Sequence, residues 1–136
     1  MTSVVIDASV ALAWGFPDEG NKEADRILAA LKGHAIFVPA VWALEIANAM
    51  LVGERRKRLK QPEILRFVDL LESLPISEDH QRVSESVTHV LPLARVHGLS
   101  AYDASYLEVA IRHNAPLATL DTDLQKAARR AGIKVL

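Results

Sequence analysis

Short apolar runs rich in β-branched residues alternate with longer stretches of helical pattern, and this alternation constrains the fold more than any other feature. Strands are predicted at residues 3–6, 35–38, 116–119 and 133–136. Helices are predicted at residues 9–14, 21–32, 40–53, 78–97, 100–114 and 121–131, with another starting near Pro62. Uniformly apolar strands between helices are typical of a parallel sheet covered on both faces. We therefore expect the α/β class, as a three-layer α/β/α sandwich with a central, mainly parallel sheet.

Length and composition indicate one domain over residues 1–136, with 50% hydrophobic and 24% charged residues. The net charge of −1 argues against a strongly basic protein that coats nucleic acid. The chain has no cysteine, which excludes disulfides and thiolate nucleophiles. The start of the sequence lacks a basic segment and Asp7 ends its apolar run, so no signal peptide is expected. Residues 35–44 are uncharged but too few to cross a membrane, and we expect a cytoplasmic protein.

Three acidic residues lie where strands end or helices begin. Asp7 follows the first predicted strand, Asp121 follows the strand at 116–119, and Asp103 lies three residues after Ser100. Each has a structural explanation, since Asp7 and Asp121 can cap helices and Asp103 fits a capping box. However, ligands of parallel sheets bind beyond the carboxyl ends of the strands, where Asp7 and Asp121 would meet.

Glu45 is the acid that the helical pattern explains least. Residues 41–52 are apolar almost all round, which predicts a buried helix. The polar members are Glu45 and Asn48, three apart and therefore on one face. A buried carboxylate needs a cation or a metal, although a salt bridge or a surface position remains an alternative. Asp103 faces inward in a similar way, because it shares a helical stripe with Leu107, Ala110 and Ile111.

Clustered carboxylates repel one another and are held together best by hard cations with oxygen ligands, such as Mg²⁺ or Mn²⁺. A site of this kind can activate water and stabilise the charge of in-line phosphodiester cleavage. The sequence therefore predicts a metal-dependent nuclease with four catalytic, metal-binding acids: Asp7, Glu45, Asp103 and Asp121.

Four segments in this order resemble the PIN-domain ribonucleases, in particular the VapC toxins of toxin–antitoxin pairs. They are VVIDAS at 4–9, PAVWALEIAN at 39–48, GLSAYDASY at 98–106 and LATLDTD at 117–123. The resemblance implies a PIN-like fold and an Mg²⁺- or Mn²⁺-dependent endoribonuclease that cuts RNA such as tRNA, rRNA or mRNA. It further implies a homodimer inhibited by a VapB-like antitoxin. The family's acids fall on Asp7, Glu45, Asp103 and Asp121, with Asp123 as an additional metal ligand, and supporting roles fit Ser9, Asn48 and Thr119.

A basic run follows the Glu45 helix and includes Arg55, Arg56, Lys57 and Arg58. Cations commonly end a helix, where they complement its dipole. The same density of charge also suits contact with RNA phosphates or with the antitoxin. Both interpretations remain open from the sequence.

Two other functions are compatible with part of the pattern. One is a phosphoacceptor signalling domain of the α/β class that uses Asp7 or Asp121. The other is a catalytically silent module that binds RNA or protein through the basic run. The histidines have no zinc-ligand spacing, and the glycines form neither a dinucleotide fingerprint nor a phosphate loop.

Overall fold

The central element of the computed structural model, which describes residues 2–136, is a sheet of four parallel strands. The strands are β1 (Ser3–Ile6), β2 (Ala35–Pro39), β3 (Ile76–Asp79) and β4 (Leu117–Ala118). Their order in the sheet is β3-β2-β1-β4. Val4 pairs with Ile36 of β2, and Val5 pairs with Leu117 of β4. The inner strands β1 and β2 are apolar apart from Ser3, as expected for a sheet covered on both sides.

Seven α-helices connect and cover these strands within residues 2–136. They are α1 (Ala8–Gly15), α2 (Lys22–Ala30), α3 (Val41–Arg55), α4 (Gln61–Ser73), α5 (Val83–His97), α6 (Ala101–His113) and α7 (Thr122–Arg130), with a 3-10 turn at Pro17–Glu19. Helix α6 packs on β1 and β2 and is flanked by α5 and α7, whereas α1 packs against α2, α3 and α4. The predicted three-layer α/β/α sandwich is confirmed. Within residues 2–136, no helix is long and apolar enough to cross a membrane.

The predicted helix at residues 78–97 and the closing strand need correction. Residues 76–79 form β3, which pairs with β2 through Ile36 and Ile76, and α5 begins only at Val83. β3 is an edge strand with exposed Ser77 and Glu78, so its sequence lacks the apolar signal of the inner strands. At the other end, the predicted strand 133–136 contributes only an isolated parallel bridge between Leu117 and Val135.

The prediction that α3 is buried all round is wrong. Its inward face is Trp42, Ile46 and Met50, each 6–7% exposed. Its other face is open, with Leu44 72% and Leu51 44% exposed. Apolar composition alone could not distinguish these faces, because the open face also carries large apolar residues, Leu44 and Leu51. Glu45 consequently lies at the boundary of the core, half-buried, and Asn48 is exposed.

Candidate active site

The strand order brings two distant segments together at the carboxyl end of the sheet. Strand β1 lies between β2 and β4, and the connection after β1 leads to β2 on one side while β4 lies on the other side. Asp7 directly follows β1, and its backbone N–H donates to the carbonyl of Ala118 at the end of β4, at 3.1 Å. In open parallel sheets, the crevice at such a point is where ligands bind. Asp7 and Thr119 therefore lie at the expected ligand-binding edge.

Asp7 is 4% exposed, and its carboxylate is held by two hydroxyl groups. Ser9 Oγ donates to Asp7 Oδ1 at 2.6 Å, and Thr119 Oγ1 donates to Asp7 Oδ2. Both hydroxyls are fixed in turn by backbone N–H groups: Leu120 donates to Ser9 Oγ and Asp121 to Thr119 Oγ1, each at 3.0 Å. The start of α1 and the end of β4 are thereby joined through one carboxylate.

The capping explanation for the strand-end acids is also correct. Asp7 Oδ1 accepts from the N–H of Val10 at 3.3 Å, and Asp121 Oδ1 accepts from Asp123 at 2.8 Å and Leu124 at 3.1 Å. Ser100 caps α6 by accepting from the N–H of Asp103 at 3.1 Å. The caps at Asp7 and Asp121 use only the Oδ1 atom of each carboxylate, so capping and ligand binding are compatible.

Burial and mutual repulsion oppose ionisation in this cluster. Burial raises the pKa of Asp7 to about 6, against the lowering effect of the hydrogen bonds from Ser9, Thr119 and Val10, and the charge of Asp103 raises it further. Burial also raises the pKa of Asp103, and the charges of Asp121 and Asp123 add to that rise. Asp103 therefore lies close enough to interact electrostatically with Asp7 after β1 and with Asp121 and Asp123 at the start of α7.

Glu45 enters the site through a residue that the sequence reasoning missed. Tyr106, 1% exposed, donates its hydroxyl hydrogen to Glu45 Oε1 at 2.6 Å. Burial raises the pKa of the Tyr106 phenol, and the hydrogen bond and charge of Glu45 and the charge of Asp7 raise it further. The available signal was spacing, because Tyr106 lies one helical turn after Asp103 and hence on the same face.

Five acids lie near the carboxyl ends of β1 and β4 and form no salt bridge with any Lys, Arg or His of residues 2–136. The salt-bridge alternative for Glu45 is therefore wrong. As the side chains stand, no three His, Cys, Asp or Glu groups in the described chain form an arrangement that could hold one ion. The oxygen donors nevertheless match hard cations in chemistry and charge. The five are Asp7, Glu45, Asp103, Asp121 and Asp123.

The remaining predicted residues are not joined to this cluster. Asn48 is exposed, and its side chain makes no hydrogen bond with other residues of the 2–136 range. In the basic run, Arg58 binds Asp18 Oδ1 at 3.0 Å and Glu19 Oε1 at 2.9 Å, with its guanidinium 4.4 Å from the Phe16 ring centre. The exposed Arg55, Arg56 and Lys57 have no such ion pair in the described structure.

A second polar cluster joins α6 to the end of β3. Arg112 donates to Glu108 Oε1 at 2.7 Å and to both Asp79 oxygens, and Gln81 donates to Glu108 Oε2 at 3.0 Å. Burial opposes ionisation of Asp79, but the hydrogen bonds from Arg112 and His113 outweigh it and lower the pKa of Asp79. Unlike the acids beside β1, these carboxylates are neutralised by the chain itself.

The three-layer sandwich around a parallel sheet places the protein in the α/β class, and proteins of this class bind ligands beyond the carboxyl ends of the strands. Comparison with known proteins makes this specific. The PIN domain model matches residues 4–130, and the chain belongs to the PIN domain family.

Individual relatives agree with this assignment. The chain is 28% identical over 121 residues to "Ribonuclease VapC3" of Pyrobaculum aerophilum, covering 89% of this chain and 91% of that protein. The crystal structure of PAE2754 from Pyrobaculum aerophilum superposes with a TM-score of 0.67 at 26% identity, covering 93% of this chain and 79% of the other. A toxin–antitoxin complex from Klebsiella pneumoniae contains the same fold, with a TM-score of 0.63 at 17% identity and coverages of 90% and 89%.

Proposed function

We propose that this chain is an endoribonuclease that requires Mg²⁺ or Mn²⁺ and hydrolyses RNA phosphodiester bonds. The observation that carries the proposal is a set of acids near the carboxyl end of β1 that have no cationic partner in the described chain. The buried Asp7 is the principal member of this set. A charge buried in this way is costly unless a cation neutralises it. A relative of the same family bears the name ribonuclease, which supports RNA as the substrate.

The donor set fits a hard divalent cation. Asp7, Glu45, Asp103 and Asp121 are proposed as its ligands, with Asp123 as a further ligand. A bound ion would supply activation of water and stabilisation of the negative charge that develops during phosphodiester cleavage. Ser9 and Thr119 orient Asp7 by donating to its two oxygens, and partners of this kind fix ligand geometry.

The substrate is proposed to approach the exposed side of the cluster. Asp121 and Asp123 are exposed and Asp103 is half-buried, so a phosphate group can reach this side without unfolding the sheet. Arg55, Arg56 and Lys57 are proposed to contact RNA phosphates or the antitoxin, whereas Arg58 is engaged by Asp18 and Glu19. Asn48 is proposed in a supporting role on the exposed face of α3.

In the cell, the chain is proposed to act as a single-domain cytoplasmic toxin, as a homodimer inhibited by a VapB-like antitoxin. Support comes from the ribonuclease relative in the same family and from the toxin–antitoxin complex with the same fold. The phosphoacceptor alternative lacks such support, because the family model that matches residues 4–130 is that of the PIN domain.

The test compares RNA cleavage by the wild-type chain, Asp7→Asn and the control Asp69→Asn, which changes an exposed acid of α4. Each is assayed with Mg²⁺, with Mn²⁺ and with excess chelator. We expect folded Asp7→Asn to cleave RNA about a hundredfold more slowly than the wild type, or slower still. This loss is larger than that usually caused by removing a group that only hydrogen-bonds to a metal ligand. Full cleavage by that variant, or by the chelated wild type, would reject the proposal.

The toxin role needs a separate test in growing cells. Expression of the wild-type chain should arrest growth, whereas Asp7→Asn should not. Co-expression of the protein from an adjacent short reading frame should relieve the arrest. Cleavage in the test tube without growth arrest would retain the nuclease and reject the toxin role.

A further inference from the structure

Tyr106 is a buried side chain of α6 whose hydroxyl group lies among three helices. The hydroxyl donates to Glu45 Oε1 of α3 at 2.6 Å. On the other side, its oxygen faces the backbone N–H of Ala8, at the start of α1 and next to Asp7. One phenol therefore binds Glu45 and lies beside the segment that carries Asp7, so it adjoins two of the proposed metal ligands.

Glu45 depends on this contact for its position. Across residues 2–136, Tyr106 is the one side chain that hydrogen-bonds to its carboxylate. Glu45 is half-buried and the preceding Leu44 is 72% exposed, so the side chain of Glu45 is open to solvent on one side. A glutamate side chain left free would sample many rotamers, and ordering it costs free energy. The bond at Oε1 restricts those rotamers and leaves Oε2 available to another ligand.

The position of Tyr106 on α6 also couples it to the rest of the cluster. Asp103 and Tyr106 are three residues apart and lie on one face of the helix. Asp103 acts electrostatically on Asp7, and the charge of Asp7 acts in turn on Tyr106. One face of α6 thus presents a proposed ligand and, one turn later, a hydroxyl that restrains a second ligand.

We propose that Tyr106 is a positioning residue, whose hydroxyl holds the Glu45 carboxylate in the orientation that binds the divalent cation. This inference rests on the proposed metal-dependent function. Groups that hydrogen-bond to a metal ligand fix its direction, and their loss typically weakens metal affinity 10- to 100-fold. The competing explanation is that a buried hydroxyl has found the nearest acceptor and that its loss affects stability alone.

The experiment measures Mn²⁺ binding, by calorimetry and by electron paramagnetic resonance, to metal-free protein that circular dichroism shows to be folded. Tyr106→Phe removes the hydroxyl and retains the ring. Tyr102→Phe, a 64% exposed tyrosine of the same helix, is the matched control. Glu45→Gln and the double variant Tyr106→Phe/Glu45→Gln complete a cycle that tests whether Tyr106 acts through Glu45.

We expect Tyr106→Phe to weaken Mn²⁺ binding roughly tenfold and to lower kcat for RNA while KM stays within twofold. Tyr102→Phe should match the wild type. In the Glu45→Gln background, the added Tyr106→Phe change should have no further effect on Mn²⁺ affinity.

Equal Mn²⁺ affinity in Tyr106→Phe and wild type would overturn the inference while leaving the nuclease proposal intact. An equal loss in the Glu45→Gln background would overturn it as well, since Tyr106 would then act by another route. If the wild type binds no Mn²⁺, the metal dependence of the proposed function is rejected and the inference with it. If Mn²⁺ binds as expected but no RNA is cut, the positioning role stands and the nuclease proposal is rejected.

Discussion

Thr119 and Asp7 are 112 positions apart in the chain, and the Thr119 hydroxyl donates directly to Asp7 Oδ2. The same oxygen of Thr119 accepts the N–H of Asp121 at 3.0 Å. Thr119 is 1% exposed, so no water can replace its hydroxyl without a rearrangement. This threonine is therefore the link between the carboxylate after β1 and the acid after β4.

Replacing Thr119 by valine should destabilise the protein, because it leaves the Asp7 oxygen and the Asp121 N–H without their partner. Loss of one partner of a buried hydrogen bond costs about 1–3 kcal/mol. Urea unfolding of metal-free protein measures the effect. Thr88→Val, the same change at an exposed position of α5, is the control. Equal stability of the two variants would show that the Thr119 hydroxyl contributes nothing.

Asp7→Asn should make the metal-free protein more stable at neutral pH although it removes the proposed activity. Burial raises the pKa of Asp7 from 3.8 to about 6. A raised pKa contributes stability that is present below about 4 and lost as the pH rises through about 6, because ionising a buried carboxylate is unfavourable. The variant should therefore match the wild type near pH 3.5 and exceed it by about 1–3 kcal/mol at pH 7.5.

The measurement is the free energy of unfolding of both proteins between pH 3.5 and 8, with chelator present. The control is Asp69→Asn, the same change at an exposed acid of α4. A wild type that is more stable than Asp7→Asn at pH 7.5 would contradict the prediction and indicate that the hydrogen bonds outweigh burial.

The basic run should divide into two functional groups. Arg58 stacks on Phe16 and pairs with Asp18 and Glu19, so Arg58→Ala should lower the melting temperature and leave RNA affinity nearly unchanged. The triple change of Arg55, Arg56 and Lys57 to alanine should lower RNA affinity and leave the melting temperature nearly unchanged. If all three contact phosphates, the slope of log affinity against log salt should fall by about 2. RNA binding by inactive Asp7→Asn at several salt concentrations measures this slope, and an unchanged slope would exclude RNA contact by these residues.

Arg112→Met should destabilise the fold without altering metal binding. The side chains of Glu108 and Asp79 are 6% and 9% exposed, and Arg112 neutralises both. Removing one partner of a buried ion pair leaves charge without compensation, and with Arg112 itself partly exposed we expect a cost of about 2–3 kcal/mol. Arg26→Met, which breaks an exposed pair within α2, is the control and should have no measurable effect. A loss of Mn²⁺ affinity in folded Arg112→Met would mean that the two acidic clusters are coupled.

The sequence predicted best the elements whose signals are local. The inner strands β1 and β2 are apolar apart from Ser3. Four residues, Asp7, Asn21, Ser100 and Asp121, mark helix starts by hydrogen bonds within three residues. The edge strand β3 was missed because strands of this kind are defined by a neighbour's backbone, here that of β2. No local pattern in Ser77 and Glu78 reveals that neighbour.

For the site, sequence reasoning identified the acids and the hydroxyls of Ser9 and Thr119 that bind Asp7. Their role in metal binding and catalysis stays a prediction. It missed Tyr106, whose contact with Glu45 spans 61 positions and depends on how α6 packs on the sheet. It also gave a wrong reason for Glu45, since α3 is open on one face. The acid was notable for lacking a cation, and that property appears only in three dimensions.

The pairing of β1 with β4 has a consequence for how the protein is made. Asp7 is synthesised 112 positions before its partner Thr119, and its other partner Ala118 directly precedes that threonine. A nascent chain can therefore form the site only after β4 and the residues that follow it have been synthesised. Fragments left by interrupted translation lack β4 and the acids that follow it, so they carry an incomplete site.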